Sequence, residues 1–120
     1  MVDASRPAPS QLSGLSRQVA DLSRWIDAGN RDRDPEAATW ARLAKITEEA
    51  GEVVAAQIGA TGQNPRKGIT HSPADVEEEL LDVALTALAA LEHVRGHDER
   101  SLDLLTDKLA RTLDRAGLRS

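Results

Sequence analysis

Apolar residues recur along this chain at steps of three and four, and no alternating run is long enough to make a strand. Leu12, Leu15, Val19, Leu22 and Ile26 form a narrow seam that predicts a first helix over 11–28, with Ser10 able to cap it and Gly29-Asn30 to end it. Asp34-Pro35 is a good N-cap and first helical position, and the second helix should run to Ile58 and stop at Gly59. Thr39, Leu43, Ile46, Ala50, Val53 and Gln57 fall on one side of it and predict its buried face. Ser72-Pro73-Ala74-Asp75 reads as a capping-box start for a third helix that ends near Arg95-Gly96 and buries Val76, Leu80, Val83, Ala84, Ala87, Leu91 and Val94. A fourth, from Glu99 to Ala116, should bury Leu102, Leu105, Leu109 and Leu113 before Gly117. The segment 59–71 is longer than helix–helix connections usually are and rich in glycine, which invites a functional reading.

Composition narrows the picture. Trp25 and Trp40 are the only aromatic residues, so the core has to be built from Leu, Ile, Val and Ala. Those residues suit close-packed helices rather than a β-sandwich. Trp40 is expected to pack in the core or an interface, Trp25 in the core with stacking on a base as its alternative, and His71, His93 and His97 to lie on the surface. The expected fold is all-α, a four-helix bundle in one domain over 11–116, between a flexible tail at 1–10 and a short one at 117–120. A core this light is thin for a monomer, and the bundle is expected to be completed by oligomerisation. The absence of Cys excludes disulfides, thiolate zinc sites and cysteine nucleophiles. A net charge of −5 argues against a nucleic-acid polymer as partner. No apolar run is long enough to cross a membrane and no signal peptide is evident, so the expected location is cytoplasmic.

The candidate chemistry is carboxylate. Glu49 and Glu52 on the second helix, and Glu79 and Asp82 on the third, are pairs three residues apart, which stacks each pair on one helical face. If the two helices form an antiparallel hairpin, Glu52 and Glu79 both lie about 9 Å from the loop end, and Glu49 and Asp82 match one turn deeper. Taken singly, each stripe would read as a solvated face. Level-matched, they concentrate negative charge that asks for a hard, oxygen-loving cation, best Mg²⁺ and in its place Mn²⁺. A di-iron bundle needs Glu followed three residues later by His, and this chain has no such pair. Gly51, within the second helix, costs about 1 kcal/mol against Ala and suggests close approach to the backbone there.

These motifs resemble a known family. Glu48-Glu49-Ala50-Gly51-Glu52, followed after a loop by Glu79-Leu80-Leu81-Asp82, is similar to the two-part acidic signature of the MazG-like, all-α nucleotide pyrophosphohydrolases. Lys108-Leu109-Ala110-Arg111 looks like that family's basic motif on the last helix. The loop Gly62-Gln63-Asn64-Pro65-Arg66-Lys67-Gly68 resembles one branch of small, single-domain members. The resemblance spans 11–116. It implies hydrolysis of a nucleoside triphosphate between the α and β phosphates to monophosphate and pyrophosphate, and a homodimer or homotetramer whose sites can draw on two chains.

On that resemblance, Glu52, Glu79 and Asp82 are the primary metal ligands, with Glu48 and Glu49 completing further positions. Glu49 is the first choice as general base and Glu48 the second. Lys108 and Arg111 would hold the outer phosphates, and Asn64, Arg66 and Lys67 would contact phosphate or sugar from the loop. Lys45 either joins the substrate-binding set or pairs with Glu49. The rival readings are a non-catalytic helical module that binds nucleotides or a protein partner, and an enzyme acting on a phosphoribosyl nucleotide.

Overall fold

The computed structural model describes residues 9–118, so most of the expected N-terminal tail and the last two residues lie outside what is described. Four α-helices follow one another: α1 Pro9–Gly29, α2 Pro35–Thr61, α3 Pro73–Val94 and α4 Ser101–Arg115, with no strand among the described residues. None of these helices is long and apolar enough to cross a membrane.

The local start signals work as the sequence implies. Asp34 accepts from the Ala37 N–H at 3.1 Å, ahead of Pro35 at the first helical position. Ser72 and Asp75 form a reciprocal capping box, the Ser72 N–H donating to Asp75 Oδ2 at 2.8 Å. The expected boundaries fail in three places. Helix α4 begins at Ser101 rather than Glu99, whose φ of +63° is not helical. Pro9 and Ser10 are already helical, so Ser10 is not the cap of α1. Helix α2 continues through Gly59 and closes at Gly62, whose φ of +67° is the left-handed cap conformation that glycine adopts freely. Gly59 is instead buried inside the helix, where the returning loop lies against it. Its carbonyl accepts from the Thr70 N–H at 2.9 Å, and a Cβ there would collide with the side chains of Thr70 and His71.

Helices α2 and α3 make the main antiparallel pair. Their register runs from the Gly59–Thr70 contact at the loop end to Thr39 Oγ1 against His93 Nε2, 2.8 Å apart, at the other. Helix α1 packs on α3, and α4 packs on α1 and α3. Small residues permit the close approach: Ser16, Ala20, Ser23 and Ser101 have no exposed surface.

The result is an open, flat helical bundle of 55 × 46 × 23 Å. Its radius of gyration is 17.6 Å, against about 14 Å for a compact chain of this length. Among the described residues the buried apolar ones are correspondingly few and small: Val19, Ala20, Ala56, Ala89 and Ala90. Several expected core positions are at the surface, among them Leu43, Leu80, Val94, Leu105 and Leu109. Trp25 and Trp40 are 74% and 66% exposed, so neither packs in the core of this chain. On α2 the buried line is Arg42, Glu49, Ala56 and Gly59, turned round the helix from the expected apolar side.

What occupies the tightest junction instead is polar. Arg42, on α2, donates to Asp27 Oδ1 at 2.8 Å and to Ser23 Oγ at 2.9 Å. His93 Nδ1 lies 2.6 Å from Asp27 Oδ2, and His97 Nε2 lies 2.9 Å from Ser23 Oγ. One carboxylate thus ties α1, α2 and α3 together, and the histidines expected on the surface at 93 and 97 are largely buried there. Glu92, with no exposed surface, accepts from the N–H groups of Glu99 and Ser101 at 3.0 and 2.8 Å. It therefore caps α4 from the neighbouring helix, in place of a local capping side chain.

Candidate metal and phosphate site

Midway along the α2–α3 pair, the antiparallel register brings Glu49, Glu79 and Asp82 together. Each offers a carboxylate oxygen, and these oxygens all lie within 4.8 Å of one another. Glu49 is buried, Glu79 half-buried and Asp82 exposed, so the cluster grades from the helix interface to solvent. Glu79 Oε2 is buried with no hydrogen-bond partner, an unsatisfied acceptor of the kind that folded proteins seldom leave.

Glu52, an expected primary ligand, adjoins Glu49 and Glu79 but stands outside the converging set. The negative charge of Glu49 foremost, and then contact with the Glu79 carboxyl, raise the Glu52 carboxyl above its ordinary value. That is the behaviour of like charges held close together. The donor set is all carboxylate oxygen, matching a hard divalent cation and offering nothing to a soft one.

Lys45 stands one turn before Glu49, its Nζ 3.3 Å from Glu49 and 3.4 Å from Glu48. Its hydrogen bonds to Glu49 and Glu48 raise its pKa above the usual lysine value. Glu48 is exposed and does not join the cluster. Beside the acids a cavity of about 440 Å³ opens between α1, α2 and α3; Lys45, Glu49 and Asp82 line one side of it.

The other basic candidates lie elsewhere. In the loop, Asn64 Oδ1 accepts from the Arg66 N–H at 3.1 Å, shaping a turn, and Arg66 and Lys67 are exposed. Lys108 and Arg111 are exposed on α4, a helix that packs on α1 and α3 and lines no part of the cavity. Gly51 is exposed, and a Cβ added there would meet nothing within 4 Å, so nothing among the described residues requires glycine at that position.

Sequence reasoning missed Asp27, Arg42 and Glu92. Each was a charged residue in a helical stripe, and only the neighbours supplied by other helices distinguish it from a solvated one. Arg42 offered one signal: it precedes Glu49 by seven residues, two helical turns, and so shares its face. Comparison of the chain with protein-family models, curated proteins and solved structures finds no match.

Proposed function

We propose that this protein is a Mg²⁺-dependent nucleoside triphosphate pyrophosphohydrolase of the MazG-like, all-α kind, cleaving an NTP or dNTP between the α and β phosphates to monophosphate and pyrophosphate. The reading rests on the convergence of Glu49, Glu79 and Asp82 within 4.8 Å beside a cavity. The unpartnered Glu79 Oε2 supports it, because a bound cation would satisfy that oxygen. Glu79, Asp82, Glu49 and Glu52 would hold the ion, with Mn²⁺ an acceptable substitute. Bound there, the ion supplies charge neutralisation on the phosphates and a lowered pKa for the attacking water.

The chain's own groups do the rest. Glu49 takes the proton from the attacking water; Glu48, exposed and outside the cluster of acids, is the poorer choice. Lys45 exchanges its acidic neighbours for a phosphate oxygen as the substrate enters. Arg66 and Lys67 approach by closure of the 62–72 loop, and Asn64 shapes the turn that carries them. Lys108 and Arg111 act on substrate held by a second copy of the chain in a homodimer or homotetramer. The exposed leucines at 80, 81, 105 and 109 supply apolar surface for that association.

The test is incubation with Mg²⁺ and a panel of NTPs and dNTPs, with chromatographic separation of products. Monophosphate and pyrophosphate should form, and Glu52→Gln and Asp82→Asn should abolish them while leaving the helical circular dichroism intact. Normal turnover in either variant would sink the metal-site assignment. No turnover by the wild type across the panel would favour a binding module.

A further inference from the structure

The acids and Lys45 account for one side of the cavity only. Its remaining wall is of different character: Leu22 and Ile26 of α1 and Leu85 of α3 are apolar, and Asn30 stands at the end of α1. A volume of about 440 Å³ lies in the lower part of the range typical of small-molecule pockets, about 300–1,000 Å³. That is room for a nucleoside.

The lining has two characters, as a nucleotide has: α2 and α3 bring the acids and Lys45, and α1 brings the apolar Leu22 and Ile26. Asn30 Nδ2 donates to the Ile26 carbonyl at 3.0 Å, which fixes the amide and leaves its oxygen and second N–H for a ligand. An amide held in this way presents both an acceptor and a donor, as the edge of a base requires. A shallower hollow shares Ile26 and Asn30 with the cavity and is lined by Trp25, an indole 74% exposed in a chain with one other aromatic residue. Arg42, pinned by Asp27 and Ser23, also lines the cavity and holds α1 against α2.

We infer that the C-terminal turn of α1 is the base-reading wall of this cavity, with Asn30 setting the preference between bases and Trp25 supplying an aromatic face at its rim. The inference rests on the pyrophosphohydrolase reading for the phosphate end alone; the nucleoside end can be tested without phosphate or turnover.

The experiment titrates free nucleosides into the ¹⁵N-labelled protein, and inorganic tripolyphosphate with Mg²⁺ in a separate series. Nucleosides should shift the amides of Ile26, Asn30 and Ala41, with one base preferred. Ala41→Leu, which fills the cavity from its exposed side, should weaken that binding about tenfold. Asn30→Ala should flatten the preference between bases, whereas Trp25→Leu should weaken all nucleosides alike. Unchanged amide spectra away from the cavity report that each variant is folded. Absence of nucleoside shifts while tripolyphosphate binds would overturn this inference and leave the pyrophosphohydrolase reading standing. Nucleoside shifts without Mg²⁺-dependent tripolyphosphate binding would do the reverse, and unchanged affinity and preference in the variants would also overturn it.

Discussion

Arg42 of α2 and Asp27 of α1 are joined Nη1 to Oδ1 across 2.8 Å, the arginine side chain almost wholly buried and the aspartate a quarter exposed. Removing one partner of a buried pair strands the other charge, at about 3–5 kcal/mol when burial is complete. Because Asp27 keeps some solvent, Asp27→Ala should cost about 2–4 kcal/mol. Urea denaturation would measure it. A loss below about 0.5 kcal/mol, the range of ordinary surface changes, would show that the pair does not hold α1 in place.

The same junction sets the response to acid. Burial opposes ionisation of Asp27, but His93 and Arg42 together outweigh it and hold the carboxyl below its ordinary 3.8. Burial foremost pushes the His97 imidazole below its ordinary 6.5. In both cases the unfolded chain binds more protons than the native one, so stability rises with pH. The His97 contribution is complete above 6.5 and is lost as pH falls below that value. The Asp27 contribution is lost only as pH falls past 3.8 and through the lowered native value. Denaturation across a pH series should show two stages, and His97→Asn, which tolerates the φ of +61° at that position, should remove the upper one.

Glu92 should be intolerant even of the closest replacement. Glu92→Gln turns one acceptor oxygen into a donor facing the Ser101 or Glu99 N–H, leaving a buried group unpaired at about 1–3 kcal/mol. Amide exchange should accelerate at the start of α4 before it does in α2.

Two glycines on α2 should respond in opposite senses. Gly51→Ala adds a methyl into open space and should stabilise the helix by about 1 kcal/mol. Gly59→Ala makes the same helical gain but must displace Thr70 and His71, an overpacking cost of about 1–3 kcal/mol. Thermal melts should rise for the first and stay level or fall for the second. Adding His71→Ala should recover part of the second loss.

Millimolar Mg²⁺ should raise the melting temperature, since a ligand of the native state stabilises it by about 2.7 kcal/mol at a hundred times its dissociation constant. Glu79→Gln should blunt the shift. An equal shift in wild type and variant would mean that the ion acts elsewhere.

The helix starts at Pro35 and Pro73 were legible because a cap and a proline act within one turn, with no help from the rest of the chain. The matching of Glu49 with Asp82 was legible too, because two helices joined by one loop and paired antiparallel share a common distance scale. Burial was harder to read. Leu80 and Leu109 carry the expected helical spacing and yet face outward, because spacing defines an apolar side without saying which neighbour covers it.

The sequence by itself determined four helices, where two of them begin, and a carboxylate set at one level of a hairpin, because these follow from short-range geometry. Tertiary structure alone decided that α1 crosses α3 at Ser23 and Asp27, that Arg42, His93 and Glu92 go inside, and that α2 runs on through Gly59 to Gly62. A charged side chain is buried only where another helix brings its partner, and Gly59 stays helical where the returning loop packs against it, leaving Gly62 to take the left-handed cap. Both conditions depend on residues far away in the chain.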